Sequence, residues 1–406
     1  MDATDILAAR ETRAALIKEN GDAPAFITVK ANMPGKEKVN GEERFVVLLF
    51  KALLHTLYQT GFHTETTADG HLAYARVDKP ASKVKRVSTW LEATHPIGRL
   101  VDIDVHENGR TLHRTHKRHC MVCGGDVHTC RRNRRHSHDD IVAHYKKEVH
   151  TFFKHALAKE ATMALRRELF TYPCYGLVSH KTSGIHRDMN VSHFLHAFPL
   201  LEDAFKEYIG MALNGNDTLE ALRTHGQAHE KRILERVGRN THKGAHFLFG
   251  LTLTHFTRSV FNGGDFDSFL DELKTRGKTI EAHDFSHKKT PVSTGEKAYQ
   301  VNHIRGVRGE VSDGFPSIFS WWKPATRHWH GFHKLTHIMA HLDDTTLYKR
   351  GTLEDVKETL KETDILACDM ENLNFTLRKA SPGGAADLLG VLYFFESTGY
   401  LLNMSP

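Results

Sequence analysis

The chain has 406 residues, a formal net charge of +6, and 40% hydrophobic and 26% charged residues. No apolar run approaches the roughly 18 residues that a membrane-spanning helix needs, so a helical membrane protein is excluded and no membrane partner is expected. Five cysteines, three of them between Cys120 and Cys130, do not make the dense framework of a small secreted protein, and the length predicts two domains with separate cores.

The acidic start Met-Asp-Ala-Thr-Asp lacks a signal-peptide pattern, and a cytoplasmic location is expected. A charge of +6 suits an acidic partner or phosphorylated substrates and is modest for a nucleic-acid binder, so no nucleic acid is expected. The 31 histidines read as scattered rather than grouped in H-x-x-x-H metal pairs.

Taken in order, Thr4 is placed to cap a first helix that ends at Asn20-Gly21. Ala25 to Lys30 is rich in β-formers, Asn32 to Gly35 is a turn, and Phe45 to Tyr58 reads as an apolar helix. Asp69-Gly70 predicts a hairpin between Phe62–Thr67 and His71–Val77. A short helix from Ala81 to Glu92 carries Lys83, Lys85 and Arg86, which are either a solvated face or phosphate ligands.

The next stretch, His95-Pro-Ile-Gly98-Arg99-Leu-Val-Asp102-Ile-Asp104-Val105, is the densest in chemistry. As a strand it sends Val101, Ile103 and Val105 to one face and both carboxylates to the other. Two carboxylates on one face suit Mg2+, and Gly98-Arg99 would let a phosphate approach backbone and guanidinium; an edge strand with solvated acids has the same pattern. Asn108-Gly109 predicts a tight hairpin into Thr111–Arg114. The first part therefore reads as α+β.

Cys120-Met-Val-Cys123-Gly-Gly then has the form of a zinc knuckle, which Cys130 and either His128 or His136 would complete as a tetrahedral site. Buried thiols or a redox pair are the alternatives. Arg131 to Arg135 follows without interleaved aromatic residues, which favours docking to phosphate or acidic protein over nucleic acid.

From Ser137, with Asp140 forming a capping box, the pattern turns helical, and strand signals nearly vanish beyond it. The domain boundary is expected near residue 148, giving domains at 1–147 and 148–406. The second is all-α, with helices expected at about 320 to 341, 352 to 368 and 384 to 397. Polar loops interrupt it at Ser183–Met189, Asn240–Gly244, Arg305–Ser317 and Ser381–Gly384. Helix N-termini with small residues and a lysine are phosphate-binding candidates, because free N–H groups and the helix dipole favour anions.

The first part resembles holo-citrate lyase synthase, on the residues His95-Pro-x-Gly-Arg-Leu-x-Asp-Ile-Asp-Val105, Cys120-x-Val-Cys-Gly-Gly125, Cys130-x-Arg and Arg134-Arg-His-Ser137. The remainder is similar to triphosphoribosyl-dephospho-CoA synthase, on Gly176-Leu-Val178, Ser183-Gly-x-His-x-Asp-Met189, Asn240-Thr-His-Lys-Gly244, Gly306-x-Arg-Gly-Glu310, Gly314-Phe-Pro-Ser317 and Ser381-Pro-Gly-Gly-x-Ala-Asp387. Cys174-Tyr175 stands where that family has a Lys-Pro pair. The resemblance implies a nucleotidyltransferase-like first domain and a two-step pathway. The second half would join ATP to 3'-dephospho-CoA with loss of adenine, and the first would transfer the product to a serine of the acyl carrier protein of citrate lyase.

On this reading Asp102 and Asp104 hold Mg2+ and Arg99 stabilises leaving pyrophosphate, with His95 and Gly98 in the same site. Asp188 or Glu310 supplies a carboxylate near the ribose of ATP, and His186 and His242 are acid or base candidates. Lys243, Arg187 and Arg308 grip the triphosphate, with Gly244, Ser381, Gly383 and Gly384 as backbone binders. The rival readings are a zinc-containing nucleic-acid-binding protein and the equivalent maturation enzyme of malonate decarboxylase.

Overall fold

A computed structural model describes residues 3–35, 37–114, 118–285 and 293–404. The chain divides into two compact units, residues 1–153 with 260–263, and residues 154–259 with 264–406.

In the first unit the order is α1 (Ala3–Glu19), β1 (Ala25–Ala31), α2 (Gly41–Tyr58), β2 (His63–Thr67), β3 (Gly70–Val77), α3 (Ala81–Thr94), β4 (Val101–Glu107), β5 (Arg110–Thr111) and α4 (Val127–Arg132). Helix α1 already contains Thr4, so Thr4 is not its cap. The strands form one antiparallel sheet in the order β2-β3-β1-β4-β5. Alternation decides its two faces. Ala25, Ile27 and Val29 of β1 and Val101, Ile103 and Val105 of β4 are fully buried, and α2 and α3 pack on these strands. Phe26, Thr28 and Lys30, with Asp102, Asp104 and His106, point to the other face. Asn108 and Gly109 both have positive φ, as a two-residue hairpin turn requires, but β5 stops at Thr111, short of the expected Arg114. Among the described residues no strand pairs with the outer edge of β4 along the acidic residues, where Glu92 Oε1 accepts from Ile103 N and Val101 O accepts from Arg118.

Helix α5 (His138–Leu169) starts at the expected capping box, in which Ser137 N donates to Asp140 Oδ2 (3.1 Å) and Asp140 N to Ser137 Oγ (3.0 Å). The helices that follow are α6 (Val191–Leu213), α7 (Leu219–Val237), α8 (Lys243–Phe261), α9 (Phe266–Asp284), α10 (Thr294–Asn302), α11 (Gly306–Asp313) and α12 (Pro316–Phe319). Then come α13 (Gly331–His341), α14 (Thr345–Lys349), α15 (Leu353–Lys361), α16 (Met370–Thr376) and α17 (Gly383–Thr398). The single helix expected over 320 to 341 is broken, because Pro324 cannot continue a helix and opens a 3-10 turn at Pro324–His328. The helix expected over 352 to 368 ends at Lys361.

The core of the second unit is aromatic. Phe249, Phe256 and Phe269 pack edge-on or tilted against Phe394 and Phe395 of α17, whose residues 388–395 are all buried. Lys334, with no exposed surface, is held by Glu396 Oε1 at 2.6 Å and by Arg327 O at 2.8 Å, so its charge is buried with partners. No helix among the described residues is long and apolar enough to cross a membrane.

Candidate active sites

The open face of the first sheet carries a polar cavity of about 280 Å³. Asp102 and Asp104 line it from β4, opposite Thr28 and Lys30 of β1, and Arg10, Arg13, Lys38 and Asp69 close it. The antiparallel register explains the grouping. Lys30 is the cross-strand partner of Asp102 and Thr28 of Asp104, so the four side chains are neighbours on one face. Buried Asp69 gathers the cations, accepting from Arg13 Nη1 (2.7 Å), Arg10 Nε (3.3 Å) and Lys30. Burial raises its affinity for a proton, but Lys30 and Arg13 outweigh that and hold the carboxyl below its usual range.

Further cations stand behind the acidic pair. Arg114 Nη2 lies 2.8 Å and Arg118 Nη2 2.9 Å from Asp102 Oδ1, and both also contact Glu92 of α3. Lys85 reaches within 4.0 Å of Asp104 Oδ1, whereas Lys83 and Arg86 are exposed. Burial, then the charge of Asp102, raises the Asp104 pKa above the ordinary carboxylate value. Next on that face, His106 bridges Thr28 Oγ1 (3.0 Å) and Thr111 Oγ1 (2.9 Å), and burial pushes its pKa down to about 4, so it is a neutral brace at pH 7.

Three expected residues have other places. The His95 ring packs edge-on to Phe50 and against Phe152, and its Nδ1 accepts from Ile97 N at 3.3 Å, so this half-buried side chain braces the turn before β4 and does not line the cavity. Gly98 is needed for packing, since a Cβ there would lie 2.6 Å from Leu91 O and Glu92 O. Arg99 donates through Nε to His119 O at 2.7 Å and does not line the cavity.

The ligand atoms of Cys120, Cys123, Cys130 and His136 all lie within 4.8 Å of one another. His128 is not in the group. Arg131 to Arg135 are exposed beside it. A second group, Glu207 of α6 with His225 and His229 of α7, corrects the reading of the histidines as unpaired, since His225 and His229 are one helical turn apart.

In the second unit the glycine motifs converge. Gly176 N donates to Ala380 O (2.6 Å) and Ile185 N to Gly176 O (3.1 Å), and His186 Nε2 is 3.0 Å from Ser381 Oγ. Cβ atoms on Gly176 and Gly184 would fall 2.1 Å from Ala380 O and Gly176 O, so these loops need glycine to close on each other. The Asn240–Gly244 loop joins them through Asp387, whose Oδ2 occupies the space over Gly244, 1.9 Å from where a Cβ would stand. Gly383 and Gly384 face Thr346 and Asp344, and Asp344 accepts from Ala385 N at 3.0 Å.

Three carboxylates that the sequence reading passed over meet here. Burial, then the charge of Asp387, raises the Glu168 pKa well above the ordinary value, and Asp387 is raised likewise by burial and by Asp344. Asp387 was legible inside its motif; Glu168 lies in a plain helical stretch with no local signal. The Gly244→Ala variant is expected to lose about 1–3 kcal/mol of stability by overpacking against Asp387, read as a lowered thermal midpoint.

Lys243 and Arg308 do share a cavity, of about 370 Å³, with Arg223, Glu230, Asp284 and Glu296. Arg187 does not line it, and is exposed. Asp188 is exposed and paired with Arg239 at 3.7 Å. Glu310 caps α12 instead of facing a ligand, accepting from Ser317 Oγ (2.6 Å) and Ser317 N (3.1 Å), and burial raises its pKa to about 7. His242 packs against Phe194 and Phe198, and burial lowers its pKa to about 3, so it cannot act as an acid near neutral pH. Cys174 is a buried thiol and Tyr175 adopts φ 57°, with its hydroxyl 2.7 Å from Thr336 Oγ1, so this pair supplies no cation.

Residues 1–152 match the family of apo-citrate lyase phosphoribosyl-dephospho-CoA transferase, and residues 154–404 match that of ATP:dephospho-CoA triphosphoribosyl transferase. The chain is 31% identical to Protein CitXG of Haemophilus influenzae over 81% of its length and 80% of the relative's. It is 26% identical to Protein CitXG of Leuconostoc mesenteroides subsp. cremoris, covering 77% of each. The 2-(5''-triphosphoribosyl)-3'-dephosphocoenzyme-A synthase of Haemophilus ducreyi is 29% identical, over 69% of this chain and all of that protein. The chain therefore belongs to these two families in tandem, and is a bifunctional transferase that makes and attaches the citrate lyase prosthetic group.

Proposed function

We propose that the cavity on the open face of the first sheet is where the transferase step occurs, in a nucleotidyltransferase-like arrangement. The placement of Lys30 and Thr28 directly across from Asp102 and Asp104 carries this reading. A triphosphate brings several negative charges, and Arg10, Arg13, Lys30 and Lys38 give them a cationic wall. The carrier serine Oγ bonds to the α-phosphorus as its proton passes to solvent, the bridging P–O bond breaks, and pyrophosphate leaves with the electron pair. Asp102 and Asp104 are the hard oxygen donors that would hold Mg2+, which supplies charge neutralisation on the phosphates when bound.

In the second unit, Asp387 and Glu168 face the ribose of ATP. The 2'-hydroxyl of 3'-dephospho-CoA bonds to C1 of that ribose, the C1–N bond breaks, and adenine takes its electron pair. Positive charge develops on the ribose, which two mutually repelling carboxylates stabilise, and their raised proton affinity suits them to take the hydroxyl proton. Lys243, at the start of α8 beside Gly244, grips the triphosphate.

The exposed tract Arg131 to Arg135 docks the acyl carrier protein, and both steps take place in the cytoplasm. Reversing charge with Arg131→Glu and Arg132→Glu is expected to raise the KM for the carrier about tenfold and flatten its salt dependence, with kcat little changed. Steady-state loading rates at two salt concentrations check this; an unchanged KM and salt slope would remove the tract from the docking surface.

A further inference from the structure

We infer that Cys120, Cys123, Cys130 and His136 form a structural zinc site whose task is to hold Arg118 against the acidic strand of the transferase cavity. Local backbone geometry builds the ligand set. Cys120 N donates to Gly125 O (2.7 Å) and Gly124 N to Cys120 O (2.9 Å), with Gly124 at φ 70°, so one turn aims two thiols the same way. Asp126 caps α4 by accepting from Thr129 N at 2.7 Å, which fixes Cys130 in that helix. Arg135 N donates to Cys130 O at 3.0 Å, folding the chain back so that His136 meets the three sulfurs.

The separations suit a metal. Cys123 Sγ and Cys130 Sγ are 3.5 Å apart, close to the roughly 3.8 Å edge of a tetrahedron with Zn–S bonds of about 2.3 Å, and all five described cysteines are free thiols. His136 Nε2 is buried beside the Cys123 thiol and has no other hydrogen-bond partner among the described residues, a nitrogen that a metal would engage. Soft thiolates with one imidazole favour zinc over magnesium or calcium. Three thiolates and one imidazole on a divalent zinc would leave the centre with one net negative charge, beside the exposed arginines of α4.

The knuckle opens directly out of the catalytic face. Arg118, two residues before Cys120, donates to Asp102 Oδ1 (2.9 Å), Glu92 Oε1 (2.8 Å) and Val101 O (3.1 Å). The next residue, His119, pairs with Asp126 across the knuckle and accepts from Arg99 Nε through its carbonyl. A metal that clamps residues 120 to 136 thereby fixes the backbone from which Arg118 reaches Asp102. This positioning role rests on the assignment of Asp102 to the transferase site; the metal site itself does not.

The full chain, purified without chelator, is expected to carry one zinc by elemental analysis, retained in Cys368→Ser and lost in Cys123→Ser and His136→Asn. Cobalt substitution is expected to give thiolate-to-cobalt charge-transfer absorption. Circular dichroism and thermal melting of the same samples report whether each variant chain is folded, and adenine release reports on the second unit. Metal-free protein with reduced thiols, or a Cys123–Cys130 disulfide in the isolated chain, would overturn the site. For the positioning role, Arg118→Ala is expected to slow carrier loading about tenfold to hundredfold, and Cys123→Ser is expected to cost little more in that background. Fully additive losses would overturn the positioning role. If Arg118→Ala loads normally while zinc is stoichiometric, the positioning role fails and the metal site stands; the reading of Asp102 fails only if Asp102→Asn also loads normally.

Discussion

Asp387→Asn is expected to release adenine from ATP and 3'-dephospho-CoA about 10²–10³-fold more slowly than the wild type, while being at least as stable. The two halves of that expectation have one cause. Burial and the neighbouring acids raise the Asp387 pKa far above that of a solvated carboxylate. A carboxyl whose pKa is raised on folding binds its proton more tightly when folded, so stability is greatest below the ordinary carboxylate pKa and is lost as pH rises from there through the raised folded value. At neutral pH the folded chain bears the cost of either ionising or protonating this buried carboxyl, and a neutral isostere relieves that cost while Gly244 still accommodates the same shape. Thermal melting and an adenine assay on one preparation check it. A variant that melts lower and keeps its rate would mark Asp387 as an ordinary structural acid. Glu168→Gln is expected to behave alike, because its shift has the same origin.

Asp102→Asn and Asp104→Asn are each expected to slow loading of the carrier serine by about 10²–10³-fold, with adenine release unchanged. Asp102 is already met by Arg114 and Arg118, and Asp104 by Lys85. Losing one carboxylate thus removes an oxygen donor from the cavity and leaves a cation without its partner. Loading measured with the triphosphoribosyl intermediate supplied directly isolates this step from the other unit. Wild-type loading by both folded variants would exclude the pair from the reaction.

Much of this was legible in the chain because the signals were local. The alternation of Val101, Ile103 and Val105 with two aspartates placed the acids on one face, and the Asn108-Gly109 hairpin and the Ser137–Asp140 capping box lie where read. The ligand spacing of the cysteines also survived folding, with the structure choosing His136 over His128. What escaped was long-range. Arg10 and Arg13 come from α1, Lys30 from β1, Lys38 from the loop before α2 and Asp69 from the β2–β3 turn, and only the folded sheet with α1 beside it brings them to Asp102 and Asp104. His95, Glu310 and His242 sit within or beside recognisable motifs, yet their side chains turn inward to brace turns or pack on aromatic rings. Motif membership marked the neighbourhood, and burial decided which residue faces the ligand. Glu168 shows the converse, a residue with no motif that helix packing delivers to Asp387.

The central claim is that one polypeptide both builds the prosthetic group and attaches it. Mass spectrometry of apo acyl carrier protein, after incubation with the full chain, ATP and 3'-dephospho-CoA, tests it directly. The account predicts a carrier heavier by one phosphoribosyl-dephospho-CoA group, with adenine and pyrophosphate formed in equal amounts. An unmodified carrier in the presence of accumulating adenine, or a modified carrier without adenine release, would contradict it.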